Sequence, residues 1–201
     1  MDEYKRFAWL YDFILHSAIH KIRKRITKII DQNKTESIID ICCGTGNQLK
    51  YLHKKGYRNI SGVDISASML KQAEKGSIKG KCKNQDAAAL NFEKNTFDTG
   101  IIGFALHEKS IDTAKKIIEE ARRVLKPNGL LIILDYNQEK EAPWYIRSIV
   151  RIVERFAGKE HYRNYRQYQK TGGTDMLMNP QKPINIFKFH SGITLLKIYR
   201  V

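Results

Sequence analysis

A glycine-containing segment near residue 40 carries the residue types of a nucleoside-binding turn. Asp40 lies in a short apolar run, and Gly44 and Gly46 follow where that run ends. Glycine lets the backbone bend sharply and lets a ligand approach it closely. The segment lacks the GxxxxGK[ST] loop that grips polyphosphates, and it lacks the full GxGxxG fingerprint of dinucleotide sites. It therefore predicts a ligand cradle without a polyphosphate clamp.

Two further carboxylates follow at the ends of later apolar runs. Asp64 lies about twenty residues beyond the turn, where an acidic side chain can accept hydrogen bonds from both hydroxyls of a ribose. Asp86 follows a third run, where a carboxylate can accept from an exocyclic amine such as N6 of adenine. Three carboxylates at three successive strand ends, together with the glycine turn, predict a nucleoside site.

An alternation of strand-like and helix-like segments must position these residues. Up to residue 135, short apolar runs alternate with amphipathic stretches, which is typical of a parallel sheet with helices on both faces. The last two runs flank a His-Ser-Gly tripeptide and indicate an antiparallel hairpin. We expect strands at 37–41, 59–64, 81–85, 97–103, 130–135, 184–189 and 193–199. We expect helices at 4–30, 47–55, 66–75 and 112–125.

Length and composition favour one globular domain of 201 residues, with 42% hydrophobic and 28% charged residues. We divide it into an N-terminal helical cap (1–36), a cofactor-binding core (37–136) and a region of substrate-side helices with the closing hairpin (137–201). No apolar stretch approaches the ~20 residues that span a bilayer, and the start lacks a signal peptide's apolar region. The three cysteines form no CxxC pair. We therefore expect a cytoplasmic protein without disulfides and predict no metal site.

A net charge of +15 is spread along the chain, and its densest patch lies on the expected N-terminal helix. That basic patch consists of Lys21, Arg23, Lys24, Arg25 and Lys28. Such a patch is typical of a solvated helix face, and it is also compatible with RNA or with an anionic membrane surface. A phosphate-binding role would make affinity fall steeply with salt.

Taken in order, the motifs resemble those of class I S-adenosylmethionine-dependent methyltransferases, particularly the type 11 group that contains quinone-biosynthesis C-methyltransferases. The similar segments are Ile38–Gly46, Gly62–Ser66 with Met69 and Leu70, Gln85–Ala87, and Leu125–Leu130. The resemblance implies a Rossmann-like, doubly wound α/β fold whose seven-stranded sheet is mostly parallel, with a C-terminal antiparallel hairpin and an N-terminal helical cap. One position departs from the family, because Cys42 stands where a glycine is usual.

The resemblance also implies the cofactor, S-adenosyl-L-methionine, and its product, S-adenosyl-L-homocysteine. It implies that Asp40 and the turn glycines line the methionine moiety, and it places the ribose and adenine at the two later carboxylates. The residues it assigns to cofactor binding are Tyr11, Asp40, Cys42, Gly44, Thr45, Gly46, Asp64, Ile65, Met69, Asp86, Ala87 and Phe104. Tyr11 belongs to an Ala-x-x-Tyr-Asp segment that in this group folds over the cofactor. The alternative is that its aromatic residues pack the helix onto the core.

Methyl transfer from a sulfonium is an in-line displacement, so positioning and exclusion of water are its main requirements. His107 follows the expected fourth strand and could act as a general base, although a lone histidine can equally be structural. Tyr11 is a second catalytic candidate, as a lid residue. Residues 141–173, where tyrosines alternate with arginines, are expected on the acceptor side. We expect methyl transfer to an apolar or aromatic small molecule; the alternatives are an RNA methyltransferase or a cofactor-binding module without turnover.

Overall fold

A computed structural model of the chain describes residues 8–138 and 142–201, with side chains described from residue 19 onward. The strands are β1 (Ile38–Ile41), β2 (Ile60–Asp64), β3 (Cys82–Asn84), β4 (Phe97–Gly103), β5 (Leu125–Tyr136), β6 (Asn185–Phe189) and β7 (Thr194–Arg200). The helices are α1 (Ala8–Gln32), α2 (Asn47–Lys54), α3 (Ala67–Ala73), α4 (Ile111–Val124), α5 (Trp144–Phe156), α6 (Lys159–Thr171) and α7 (Thr174–Met178). Short 3₁₀ helices lie at Leu106–Glu108 and His190–Gly192.

The strands form one sheet in the order β3-β2-β1-β4-β5-β7-β6. Strands β1 to β5 run parallel to one another, whereas β7 is antiparallel to both β5 and β6. This architecture confirms the predicted doubly wound sheet with its closing hairpin. The chain builds the sheet outward in one direction from β1 and in the other from β4, so the topological switch point lies between these two strands. Ligands of doubly wound folds bind beyond the carboxyl ends of the strands at that point.

Strands β5 and β3 differ most from the expected ones. Strand β5 begins at Leu125 rather than at residue 130, because Leu125 pairs with Phe97 before a register shift brings Leu130 opposite Thr99. Strand β3 has only three residues. Asp86 therefore lies in the loop beyond β3 rather than at the end of the strand.

Hydrophobic residues cover both faces of the sheet, and β1 shows how the pleat divides them. Ile39 and Ile41 belong to the cluster that packs against α4, whereas Ile38 belongs to the cluster that packs against α1 and α2. Asp40 is two residues from Ile38, so its side chain faces the α1 side of the sheet. The carboxylate at the end of β1 is therefore buried beneath α1. None of the described helices is long and apolar enough to cross a lipid bilayer.

Candidate functional site

The turn between β1 and α2 lies at the switch point and has an unusual backbone. Cys42, Gly44 and Gly46 have φ angles of +61°, +53° and +69°, all in the left-handed region. Left-handed backbone costs a non-glycine residue roughly 1–2 kcal/mol, so Cys42 holds strain where the family usually has glycine. A Cβ added at Gly44 would meet no atom within 4 Å, so the space above this residue is open. The turn thus offers a cradle at Gly44.

Gly46 differs from Gly44, and the pair yields a prediction. A Cβ at Gly46 would lie 2.5 Å from Ile78 Cδ1 and 3.1 Å from Ala73 Cβ. Gly46→Ala should therefore destabilise the fold by about 2–3 kcal/mol, because strain adds to overpacking. The matched variant Gly44→Ala carries similar strain without a clash, so it should melt higher than Gly46→Ala and lose cofactor affinity instead. Thermal melts and cofactor titrations check this; equal melting temperatures would contradict it.

Asp64 joins the glycine turn to the end of β2. Its Oδ2 accepts a hydrogen bond from the backbone N–H of Gly44 at 2.7 Å, and its Oδ1 accepts from the N–H of Ser66 at 2.8 Å. Burial raises the pKa of Asp64, and these two N–H groups oppose that rise. Each carboxylate oxygen has a second lone pair, so both can still accept from ribose hydroxyls. Asp64 therefore fixes the shape of the turn and keeps the capacity to accept further hydrogen bonds.

Asp40 is the most buried of the three predicted carboxylates, with 4% of its surface exposed. Burial, reinforced by the nearby negative charge of Asp64, raises its pKa to about 7, and the guanidinium of Arg23 opposes the rise. Arg23 is itself buried on α1. This corrects the proposed basic patch: Arg23 faces the interior, and the exposed charges on this part of α1 are Lys21, Lys24 and Lys28.

The other residues expected at the ribose and the adenine lie after β2, at the start of α3 and after β3. Asp86 is exposed, and its Oδ1 accepts from the N–H of Ala88 at 2.9 Å, while Ala87 between them is buried. Ile65 directly follows β2 and is 65% exposed. Met69 lies in the first turn of α3 and is half-buried. The apolar side chains of Ile65 and Met69 and the accepting carboxylate of Asp86 could together contact a purine base.

The structure describes the surroundings of Thr45 but not those of the Tyr11 side chain, the other predicted cofactor residue considered with it. Thr45 is buried, and its carbonyl accepts from Lys50 Nζ at 2.9 Å. The same ammonium donates to the carbonyl of Gln72 at 3.2 Å, which ties the turn to α3. Tyr11 lies within α1, but its side chain falls outside the described residues. Its role as a lid therefore stays a prediction.

Phe104 lies directly after β4, the strand that pairs with β1, and its φ angle is +52°. A bulky residue seldom adopts this backbone, and such strain concentrates at functional sites. Its N–H donates to the carbonyl of Leu134 at 2.7 Å, and its ring centroid lies 5.7 Å from that of Tyr136 in an edge-to-face arrangement. The preceding Gly103 faces open space. An aromatic pair therefore stands beside the turn.

His107 is buried within a network that sequence analysis did not predict. Its Nδ1 lies 2.6 Å from Asp135 Oδ1, and its Nε2 lies 3.5 Å from Glu154 Oε2. His161 Nε2 lies 2.6 Å from the same Glu154 oxygen, and Tyr136 donates its hydroxyl proton to the other at 2.9 Å. The five residues come from segments up to 54 positions apart, so their spacing along the chain carries no signal for the network.

The network changes the interpretation of His107. Burial alone lowers the pKa of His107, but Asp135, with Glu154 and Glu108, overrides burial and raises it to about 9. An imidazolium has no lone pair with which to take a proton from an acceptor. In this arrangement the general-base role expected from the sequence is therefore disfavoured.

Lys109 is a further residue near the turn that sequence analysis missed. Its Nζ lies 2.7 Å from Glu108 Oε1. Burial lowers the pKa of Lys109, but Glu108 raises it above the ordinary value, with further contributions from Cys42 and Asp64. The ammonium and the Glu108 carboxylate thus neutralise each other beside the turn. A cationic cofactor consequently does not meet an unpaired lysine there.

Comparisons with known proteins agree with this geometry. Residues 38–129 match the family described as "Methyltransferase domain". Demethylmenaquinone methyltransferase of Listeria monocytogenes is 28% identical over 84% of this chain and 74% of its own length. The corresponding protein of Staphylococcus aureus is 34% identical over 59% of this chain and 51% of its own. The chain thus spans only about half the length of several of the curated relatives that it matches.

Solved structures give the same result. An S-adenosylmethionine-dependent methyltransferase from Clostridium acetobutylicum matches with a TM-score of 0.58 at 25% identity, covering 69% of this chain and 59% of that one. A SAM-dependent methyltransferase from Methanosarcina mazei matches with a TM-score of 0.63 at 19% identity, and the match covers 86% of this chain and 96% of that one. This likeness supports the fold.

The sheet order, the open glycine turn and the carboxylates at or just beyond successive strands resemble the arrangement of class I S-adenosylmethionine-dependent methyltransferases, and residues 38–129 are similar to a methyltransferase domain. The curated relatives to which the chain is similar are demethylmenaquinone methyltransferases.

Proposed function

We propose that this protein transfers the methyl group of S-adenosylmethionine to an apolar or aromatic small molecule. The observation that carries the proposal is the aromatic pair of Phe104 and Tyr136 beside the open glycine turn. Aromatic rings provide a large apolar surface and preferred edge-to-face contacts for a planar acceptor. The curated relatives are named for methylation of demethylmenaquinone, which agrees with an acceptor of this class.

The three carboxylates would orient the cofactor, which supplies an electrophilic methyl group on a sulfonium. Asp64 would accept from the ribose hydroxyls and Asp86 from the exocyclic amine. Asp40 would face the cationic amino group of the methionine moiety, whose charge favours the ionised carboxylate. Gly44 leaves room for close approach. The residues of the chain thus hold the cofactor in one orientation, and alignment of the reacting atoms is the main source of rate in such a displacement.

The acceptor would approach from the side of β4 and β5. Phe104 and Tyr136 would exclude water from the reacting atoms and hold a planar ring against the methyl group. Because His107 is held between carboxylates, we do not assign it the removal of the acceptor's proton. An acceptor that enters as an anion needs no base. This favours phenolate-like or enolate-like nucleophiles over neutral alcohols and phenols, whose nucleophilic oxygen still carries its proton.

We further propose that the acceptor is reached at an anionic membrane surface through α5. Six large apolar residues of this helix are exposed, and Trp144 and Phe156, at its two ends, are 71% and 76% exposed. Arg147, Arg151 and Arg155 recur every four residues along the same helix. Exposed aromatic residues interleaved with arginines are typical of helices that lie in the lipid headgroup region.

A vesicle experiment checks the membrane proposal. The protein should sediment with vesicles that contain phosphatidylserine and much less with phosphatidylcholine alone, since each arginine near an anionic surface contributes about 1 kcal/mol. Replacing Trp144 and Phe156 together by serine should abolish sedimentation, whereas Ile186→Ser, at an exposed apolar residue of β6, should leave it unchanged. Lack of sedimentation by the unaltered protein, or a dimer that α5 variants dissociate, would overturn the proposal.

A labelling experiment tests the function itself. Methyl-labelled S-adenosylmethionine is incubated with the protein and a cell extract, which is then separated into RNA, protein, lipid and small-molecule fractions. We expect label in the lipid or small-molecule fraction. Label in the RNA fraction would contradict a small-molecule acceptor and would identify the protein as an RNA methyltransferase. Absence of label, with cofactor binding intact in the same preparation, would favour a binding module without turnover.

A further inference from the structure

His107, Glu154 and His161 converge on one point at the carboxyl edge of the sheet. Their nitrogen and carboxylate ligand atoms all lie within 4.8 Å of one another. Both imidazoles direct Nε2 at the same oxygen, Glu154 Oε2, from 3.5 Å and 2.6 Å. Because three residues from three separate elements meet here, the arrangement is a product of the fold rather than of local sequence.

The outer nitrogens of both imidazoles face carboxylates. His107 Nδ1 donates to Asp135 Oδ1 at 2.6 Å, and His161 Nδ1 lies 3.6 Å from Glu108 Oε2. Metal-binding histidines almost always donate their second ring N–H to such a partner, which fixes the tautomer and the ring orientation. His107 therefore has the supporting hydrogen bond that is typical of a metal ligand, whereas Glu108 lies near the corresponding nitrogen of His161 without a hydrogen bond between them.

The supporting groups are themselves held in place. Asp135 Oδ2 accepts from the backbone N–H groups of Leu106 and His107, at 3.1 Å and 3.3 Å. Glu154 Oε1 accepts from the hydroxyl of Tyr136 at 2.9 Å, which leaves Oε2 directed at the two imidazoles. A site of this kind is preorganised, because its ligands lose little further freedom when an ion binds.

If each Nδ1 carries its proton toward its carboxylate, each neutral Nε2 presents a lone pair to Glu154 Oε2. A carboxylate oxygen that faces two lone pairs requires positive charge between them. That charge is supplied either by two further protons or by one cation. The 3.5 Å between His107 Nε2 and Glu154 Oε2 is close to the ~3.4 Å expected for two ligands of one tetrahedral zinc ion, whereas the 2.6 Å between His161 Nε2 and Glu154 Oε2 is a hydrogen-bond distance that must lengthen by about 0.8 Å when an ion binds.

We propose that His107, Glu154 and His161 bind a divalent transition-metal ion, zinc in the first place. Two imidazoles and one carboxylate form the ligand set of His₂Glu zinc sites and of the 2-His-1-carboxylate iron sites. This departs from the sequence-based expectation of no metal site, which rested on the absence of closely spaced ligands along the chain. The proposal does not depend on the identity of the methyl acceptor.

Metal titration of the purified full-length chain tests the proposal. After treatment with a chelator, the protein should bind one equivalent of Zn²⁺ in competition with a fluorescent indicator, and Co²⁺ should give visible d–d absorption. Glu154→Gln and His161→Gln should each weaken binding at least 100-fold. Asp135→Asn should weaken it about 10- to 100-fold, because it removes only a supporting contact. His53→Gln, at a half-buried histidine of α2, should bind as the unaltered protein does.

Three outcomes would overturn the proposal. The first is the absence of stoichiometric Zn²⁺ or Co²⁺ binding by the unaltered protein, a result that does not depend on whether any variant folds. The second is binding that both ligand variants retain, which would place the ion elsewhere, for example on the cysteine thiols. The third is an NMR spectrum in which both imidazoles stay doubly protonated in excess Zn²⁺, which would assign the positive charge to protons.

Discussion

Replacing Asp64 by alanine should weaken binding of S-adenosylmethionine by about 10- to 100-fold. Charge-assisted hydrogen bonds to two ribose hydroxyls contribute roughly 1–3 kcal/mol, and each 1.4 kcal/mol is a factor of ten. The same carboxylate holds the N–H groups of Gly44 and Ser66, so the variant also loosens the turn that cradles the ligand. Isothermal titration with the cofactor measures the loss.

Asp98 provides the matched control for this prediction. Its Oδ2 accepts from the backbone N–H groups of Glu36 and Ser37, at 3.1 Å and 2.8 Å, but before the start of β1 and thus at the opposite edge of the sheet. Asp98→Ala should lower the melting temperature and leave cofactor affinity unchanged. Equal affinities of the Asp64→Ala and unaltered proteins would remove Asp64 from the cofactor site.

Replacing Asp40 by asparagine should stabilise the ligand-free protein at pH 8 and abolish tight cofactor binding. Burial raises the pKa of Asp40 from its ordinary value of 3.8 to about 7. The folded protein therefore retains this proton after the unfolded chain has lost it, and stability falls as pH rises from about 4 to about 7. A shift of about three pKa units corresponds to a penalty of up to roughly 4 kcal/mol above that range. Asparagine carries no charge and escapes the penalty.

Urea unfolding at pH 5 and pH 8 measures this effect. The gain in the free energy of unfolding of Asp40→Asn over the unaltered protein should be larger at pH 8 than at pH 5. Asp98→Asn should instead lose stability by about the same amount at both pH values: burial raises the pKa of Asp98, but hydrogen bonds from Lys126 and Ser37 hold it at about 2, so this carboxyl is ionised at pH 5 and at pH 8. Its ionised form therefore stabilises the fold at neutral pH. A gain for Asp40→Asn that does not change with pH would contradict the assigned pKa.

Cofactor binding should also couple to the proton on Asp40. If the amino group of the methionine moiety lies against this carboxylate, binding favours the ionised form and releases a proton near pH 7. The stability of the ligand-free protein then favours the protonated form of Asp40, whereas cofactor affinity favours its ionised form. Such a conflict is common where a charged group is buried for function.

Some features of the fold could be read directly from the sequence. The alternation of apolar runs and amphipathic stretches predicted the parallel sheet, and the last two runs predicted the hairpin of β6 and β7. The error at β5 has a local cause, because the pairing of Leu125 with Phe97 depends on a register shift between two strands. Periodicity within one segment carries no information about such a shift.

The sequence by itself determined the parallel sheet with its closing hairpin, and it carried the resemblance to methyltransferases that predicts the cofactor, because the residues that carry these features lie in short segments of the chain. The tertiary structure alone decided the pKa of Asp40, the burial of Arg23 and the convergence of His107, Glu154 and His161. These features depend on desolvation and on distances between segments far apart in the chain, and both exist only after the helices have packed on the sheet. For this reason a histidine that looked like a solitary base proved to be one member of a buried network.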